Sequence, residues 1–218
     1  MTVSTATSTP SSRRTNFAKP TLWLLMGLAF LSVLVFTEYP FFAPNSPDRA
    51  RVFGEKLIFL PHALAGLTAF LLGPLQFSTR LRQRNTPLHR LLGKIYVISI
   101  LIAAPSALLI SHHLEAVRPT LTYLYAQTWA QAGLWLLFTV AAFITARNRH
   151  IAVHRQWMIR SYSLTFIFVT SRILNPLPAI QHMSDQAYVI FLFLTLIVAI
   201  VVPDLYFSWS ELTTRRVR

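Results

Sequence analysis

Six long apolar runs, separated by short polar or basic connections, constrain this chain more than any other feature of its sequence. A helix of about 20 apolar residues spans the hydrocarbon core of a bilayer and satisfies its own backbone hydrogen bonds there. The pattern therefore predicts an all-α integral membrane bundle of six transmembrane helices within residues 20–210. The predicted helices cover about residues 21–38, 57–79, 90–111, 121–146, 153–174 and 187–208.

The composition agrees with a membrane protein and excludes several other classes. Apolar residues make up 54% of the chain and charged residues 12%, about half the charged share of a soluble domain. The net charge of +13 does not indicate nucleic-acid binding, because the basic residues lie between apolar runs and not along one face of a soluble element. The absence of cysteine rules out disulfides and thiolate chemistry, and the scattered carboxylates argue against a carboxylate-bridged metal centre.

The distribution of positive charge predicts the orientation of the bundle. Most of the Lys and Arg residues lie in the segment before the first run, in the turns after the second and fourth runs, and at the C-terminus. The positive-inside rule places these segments in the cytoplasm. We therefore expect a disordered cytoplasmic tail over residues 1–19 and a basic cytoplasmic tail over 211–218, in a plasma membrane of bacterial type.

Small and polar residues recur at helical spacing along four of the runs, which predicts that these faces turn inward. Pro74 removes an amide hydrogen and frees the carbonyl near Phe70, so a kink is expected there. Arg160 and Asp204 lie at similar depth on their helices and are predicted to form an ion pair. The inward stripes include His62-Gly66-Ala69-Gly73-Gln76, His89-Gly93-Tyr96-Ala103-Ala107, Tyr123-Gln127-Gln131-Trp135 and His154-Met158-Ser161-Thr165-Arg172.

Histidines on membrane helices suggest b-type haem, whose iron takes two axial imidazoles from different helices. The predicted axial pairs are His89 with His154 at the cytoplasmic side, and His62 with His112 or His113 at the outer side. Arg160 and Arg172 are candidates to neutralise the haem propionates or to contact lipid. The competing interpretation is structural, because His at a helix end also satisfies backbone carbonyls and small residues pack helices together.

Three segments together carry a resemblance: PHALAGLTAFLLGPLQF, LHRLLGKIYV and HRQWMIRSYSLTFIFVTSR. Over roughly residues 57–175 the chain resembles the bacterial membrane-protein family of unknown function DUF2306. The resemblance implies an integral membrane protein and brings no established activity with it. The shorter element HRLLG is also similar to the His-Arg-x-x-Gly element of several transmembrane b-type haem proteins.

Three functions are therefore open at the level of sequence. The first is a redox protein, a membrane oxidoreductase if it is an enzyme at all, holding haem b and exchanging electrons with quinone or a redox partner. The second is a small transporter or channel whose path is lined by Gln127, Gln131, Arg160 and Arg172. The third is a non-catalytic membrane module that binds lipid or a partner protein. The sequence leaves the oligomeric state open.

Overall fold

Every element in the described part of the protein is α-helical. The computed structural model describes residues 56–117 and 119–214, with isolated positions between 21 and 35. Most of the predicted first helix, the tail over residues 1–19 and residues 215–218 lie outside the described residues. The helices are α1 (Lys56–Gln76), α2 (Thr79–Arg84), α3 (Thr86–Val117), α4 (Leu124–Arg147), α5 (Ile151–Leu174), α6 (Pro178–Gln181) and α7 (Asp185–Thr214).

Four of the described helices are long and apolar enough to cross a membrane: α1, α3, α4 and α7. Helix α5 has 24 residues, which at 1.5 Å per residue is also long enough to cross. It is not among the four because its sequence carries Arg155, Arg160 and Arg172 beside several hydroxyl residues. The structure therefore confirms the all-α prediction for the described residues, and it provides four helices long and apolar enough for four of the predicted crossings.

The bundle is built around α3, which packs against α1 on one side and α4 on the other, while α5 packs against α4 and α7. The centres of the predicted inward stripes are confirmed, since Ala69, Tyr96, Ala103 and Ser161 are all completely buried. The prediction is wrong for Tyr123, which is 68% exposed because it precedes the first turn of α4. Helix α7 is the most exposed of the four apolar helices, because 17% of an apolar 18-residue stretch of it is buried, compared with 28–33% in the other three. This agrees with the prediction that the last helix faces lipid.

The two ends of the bundle differ in charge. At one end, here called the basic end, α1 ends, α2 follows, α3 and α5 begin, and α4 ends. Two caps shape the connection there, because the Ser78 hydroxyl accepts from the Leu81 amide and the Asn85 carboxamide accepts from the Leu88 amide.

At the opposite end of the bundle, here called the far end, the predicted turn over residues 112–120 is wrong in its first half. Helix α3 continues to Val117, since surface-exposed polar residues do not stop a helix.

Helices α1 and α5 meet at a notch made by Gly73 and Pro74. A Cβ on Gly73 would lie 2.2 Å from two ring carbons of Tyr162, so only glycine admits this ring. The Tyr162 hydroxyl donates to the carbonyl oxygen of Phe70 at 3.2 Å. Pro74 has no amide hydrogen to offer that carbonyl four residues earlier. Tyr162 therefore replaces the hydrogen bond that the proline removes.

Candidate functional site

A cavity of about 250 Å³ lies in the far-end half of the bundle. Helices α1, α3, α4, α5 and α7 all contribute to its wall. The lining mixes apolar side chains with amides, hydroxyls, an imidazole and a guanidinium, a combination typical of small-molecule sites. Its polar lining residues are His62, Gln127, Thr128, Gln131, Thr165, Ser171, Arg172, Asn175 and Tyr188.

The amide pair Gln127 and Gln131 forms one wall of this cavity. The Gln127 side chain is 3% exposed, and its Nε2 donates to Gln131 Oε1 at 3.0 Å. The two residues lie one turn apart on α4, so the bond fixes both carboxamides on the same face. Each carboxamide carries two donor hydrogens and an acceptor oxygen. The pair therefore retains hydrogen-bonding capacity beyond the bond that joins it.

Arg172 brings a positive charge to the cavity from the last turn of α5. Its guanidinium carbon lies 3.4 Å from the centroid of the Phe168 ring, one turn earlier on the same helix. Arginine commonly stacks the flat face of its guanidinium on an aromatic ring in such cation–π contacts. The N–H groups lie at the edge of the group, where a carboxylate or phosphate binds.

The first His-x-x-x-Gly element lines the same cavity. The Nδ1 atom of His62 donates to the carbonyl oxygen of Ala103 at 2.9 Å, which fixes the ring between α1 and α3. Because a carbonyl only accepts, this bond requires the hydrogen on Nδ1. A Cβ added to Gly66 would meet nothing within 4 Å, and Gly66 is part of the lining. The missing side chain of Gly66 thus enlarges the cavity beside His62.

A buried hydroxyl cluster closes the cavity on the side of the basic end. Trp135 Nε1 donates to Thr165 Oγ1 at 3.0 Å. The Tyr96 hydroxyl lies 2.9 Å from Ser161 Oγ and 3.3 Å from Thr165 Oγ1, and Thr139 Oγ1 lies 2.8 Å from Ser161 Oγ. All five side chains are at most 9% exposed. The cluster therefore joins α3, α4 and α5 between the cavity and the basic end.

The second His-x-x-x-Gly element lies at the basic end and has different surroundings. His89 and His154 come from α3 and α5 and are close enough to interact electrostatically. His154 Nδ1 donates to the Ala142 carbonyl at 2.8 Å. Beside Gly93 the space is filled, because a Cβ there would lie 3.1 Å from Gln76 Oε1. Gly66 therefore borders open space in the cavity, whereas the space beside Gly93 is filled by Gln76.

The predicted ion pair between Arg160 and Asp204 is confirmed. Arg160 Nε lies 2.7 Å from Asp204 Oδ1, with the two side chains 19% and 51% exposed. The Arg160 guanidinium also lies 4.9 Å from the Trp157 ring centroid and 5.1 Å from that of Phe207. Arg160 is therefore bound to residues of α7 and is not among the residues that line the far-end cavity.

The histidine arrangement does not fit b-type haem. His62 is bonded at the level of Ala103, whereas His112 lies nine residues further along α3, which is about 13.5 Å and half a turn away from that face. His112 is exposed and packs on Tyr125, with ring centroids 5.3 Å apart. His113 is also exposed. Of the predicted axial pairs, only His89 and His154 are close enough to affect each other electrostatically, and there the Gln76 side chain occupies the space a macrocycle would need beside Gly93.

Several residues of the cavity wall and of the hydroxyl cluster were not singled out from the sequence. Thr139 continues the four-residue step of Gln127, Gln131 and Trp135, so the same periodicity could have identified it. Asn175 and Tyr188 come from helix ends on either side of α6, and Tyr188 donates to the Asn175 carboxamide at 3.3 Å. No periodic pattern connects two such ends, because their proximity depends on how α5 and α7 pack.

Comparison with known proteins agrees with this architecture. The family described as Predicted membrane protein (DUF2306) matches residues 59–207, which include every helix of the bundle described here. No curated protein and no solved structure is significantly similar to the chain. The match covers more than half of the sequence and both of the regions described above. The chain belongs to the DUF2306 family of predicted membrane proteins.

Proposed function

We propose that this protein is a carrier for a small, negatively charged solute, which binds in the far-end cavity. The observation that carries the proposal is the convergence of Gln127, Gln131 and Arg172 on one cavity of about 250 Å³. These are three of the four residues predicted from the sequence to line a path. The fourth, Arg160, is instead engaged by Asp204.

The size of the cavity limits the ligand. A water molecule has about 30 Å³ of liquid volume, so 250 Å³ corresponds to about eight waters. A solute of about eight to ten non-hydrogen atoms matches this space. Such a solute is far smaller than a lipid or a haem, which makes a metabolite-sized organic acid the best match.

The chemistry of the lining supports the negative charge. Charged side chains inside a bilayer are costly and usually mark a ligand or ion pathway. The Arg172 guanidinium is a group of the kind that binds anions, and the amides of Gln127 and Gln131 add donors and acceptors on the wall of the same cavity. Leu164, Ile167 and Leu192 line the remainder of the cavity and suit a short apolar body.

The hydroxyl cluster favours a carrier over an open channel. Tyr96, Trp135, Thr139, Ser161 and Thr165 fill the bundle between the cavity and the basic end. Solute could leave toward the basic end only if α3, α4 and α5 separated there. Alternating access to a central site has this requirement, with one side closed while the other admits solute.

The orientation proposed from the loop charges completes this scheme. Six crossings with both termini in the cytoplasm would place the basic end at the cytoplasmic face and the cavity nearer the outer face. This supports solute entry from outside, in a plasma membrane of bacterial type. The non-catalytic module that binds lipid or a partner protein draws no support from the far-end cavity.

A redox role has less support from the geometry. Electron exchange with quinone depends on haem, and of the predicted axial pairs only His89 and His154 are close enough to affect each other electrostatically. Gln76 fills the adjacent space. We therefore place solute binding ahead of electron transfer.

Uptake into proteoliposomes tests the proposal. Purified protein is reconstituted, and the entry of radiolabelled malate, glutarate and benzoate is compared with that into protein-free vesicles. We expect saturable uptake of at least one of these anions. Replacing Arg172 by Gln should lower uptake at least tenfold, because the anion loses its charged partner.

Matched variants separate a site effect from a general one. Arg155→Gln removes an exposed arginine from the same helix, and Gln186→Leu removes an exposed glutamine. Both should transport like the wild type, whereas Gln131→Leu should not. Uptake no faster than in protein-free vesicles for all three anions would contradict the carrier, as would an Arg172→Gln variant with full activity.

A further inference from the structure

Two polar atoms at the basic end are buried and have no hydrogen-bond partner among the described residues: Gln76 Nε2 and His89 Nδ1. Folded proteins pair almost all such atoms, because an unpaired donor loses its bonds to water without compensation. Exceptions usually mark a ligand, ion or water. Two exceptions in one region of the bundle therefore indicate a binding site.

The two atoms belong to one surface. A Cβ on Gly93 would lie 3.1 Å from Gln76 Oε1, so the carboxamide of Gln76 sits beside Gly93. Helical side chains lean toward the start of their helix, and the space beside Gly93 therefore lies over the turn that carries His89. The end of α1 and the start of α3 thus place an amide and an imidazole next to each other.

The surroundings of this surface are strongly positive. His154, Arg82 and Arg90 are all close enough to act electrostatically on His89. The sequence contains no Asp or Glu over residues 77–100 or 138–159, the segments that form most of this end. A metal cation is disfavoured by these neighbours. An anion that accepts hydrogen bonds matches the positive charge, the N–H groups of Gln76 Nε2 and the His89 tautomer that carries its hydrogen on Nδ1.

We propose that Gln76, His89, Arg82 and Arg90 form a binding site for a phosphate group. The amide and the imidazole would donate to the phosphate oxygens from inside the bundle, and the two arginines would contact the phosphate from the surface. His154 supports the site through its bond to Ala142, which fixes its ring on the facing helix. The phosphate belongs either to a phospholipid headgroup or to inorganic phosphate. The proposal is independent of the far-end cavity.

Thermal unfolding of the full-length protein in a maltoside detergent, which contains no phosphate, distinguishes the two sources. One arm adds inorganic phosphate, with sulfate and chloride for comparison. The other arm adds phosphatidylglycerol, with phosphate-free diacylglycerol for comparison. At 100 times the Kd we expect binding to raise the Tm by about 5–10 °C. A rise with inorganic phosphate identifies the free ion, and a rise only with phosphatidylglycerol identifies the headgroup.

Two variants tie the response to the site. Gln76→Leu should abolish the rise, while Gln83→Leu, which removes an exposed glutamine from the adjacent α2, should keep it. Should Gln76→Leu fail to fold, Arg90→Gln serves instead, because Arg90 is exposed on the first turns of α3. The proposal is overturned by the absence of any rise in both arms. It is equally overturned by a rise that is the same in wild type, Gln76→Leu and Arg90→Gln.

Discussion

Arg160 on α5 and Asp204 on α7 form an ion pair with 2.7 Å between Nε and Oδ1. It is the one described ion pair that joins the polar helix α5 to the most exposed apolar helix, α7. Because Asp204 is half exposed, the pair is worth less than a fully desolvated one. Its main effect is to let an arginine reside within the bundle without an unpaired charge.

Removing the carboxylate should loosen α7. We expect Asp204→Asn to lower stability by about 1 kcal/mol, which corresponds to a fall in Tm of about 2–4 °C. A double-mutant cycle with Arg160→Gln measures the coupling. The double variant should lose less stability than the sum of the single variants, and strict additivity would show that the pair contributes nothing.

Gly73 should tolerate no side chain, because its Cβ position lies 2.2 Å from two atoms of the Tyr162 ring. Gly73→Ala is expected to destabilise the protein by about 1–3 kcal/mol through overpacking. Gly133→Ala is the matched control, since nothing lies within 4 Å of its Cβ position. That variant should be neutral or gain up to about 1 kcal/mol from helix propensity. Equal melting temperatures for the two variants would contradict the notch.

Thr165 is the acceptor on which the Trp135 indole depends. Thr165→Val keeps the shape but leaves the buried Trp135 N–H without its partner, at a cost of about 1–3 kcal/mol. The control is Thr170→Val on the same helix, whose hydroxyl bonds to the Phe166 carbonyl one turn earlier. That variant should stay within about 0.5 kcal/mol of wild type. Chemical denaturation in detergent measures both, and a larger loss at Thr170 would argue against the cluster.

The purified protein should lack a Soret band after expression with abundant haem precursor. The reason is the geometry of the histidines. His62 bonds to α3 at Ala103, whereas His112 lies further along α3 on another face, and Gln76 fills the space beside Gly93. A pyridine haemochrome assay gives the amount of haem per chain. A stoichiometric signal that is lost in His89→Ala would show that the basic end opens to admit a macrocycle.

The absence of cysteine allows a direct measurement of orientation. Single cysteines are placed at Asn148, after α4 at the basic end, and at Gln181, at the far end. In intact cells a membrane-impermeant maleimide should label position 181 and not position 148, if loop charge sets the topology. Labelling of position 148 without permeabilisation would reverse the proposed orientation.

Periodicity predicted the interior of the bundle well. The inward faces of all four polar stripes, the freed carbonyl at Phe70 and the pairing of Arg160 with Asp204 follow from 3.6 residues per turn and from the cost of polar groups in lipid. Contacts between helices were harder to predict. Tyr162 was not anticipated as the donor to Phe70, because its position depends on how closely α1 and α5 approach.

Helix ends and partners of the histidines were predicted least well. A run of His112, His113 and Glu115 looks like a turn by composition, yet α3 extends through it to Val117. A shared location near the outer side suggested that His62 and His112 meet, but depth does not specify which face of a helix a residue occupies. On α3, half a turn separates His112 from Ala103, the residue to which His62 bonds.

The length of α3 has a consequence for the membranes in which the protein can reside. Its 32 residues measure about 48 Å, compared with about 30 Å for the hydrocarbon core of a typical bilayer. Tilts of up to about 40° do not absorb that difference, so the helix must project beyond the acyl chains. A thicker bilayer would cover more of this projection and a thinner one less, with helical backbone at the boundary in each case. Helix α3 is therefore suited to bilayers of varied thickness.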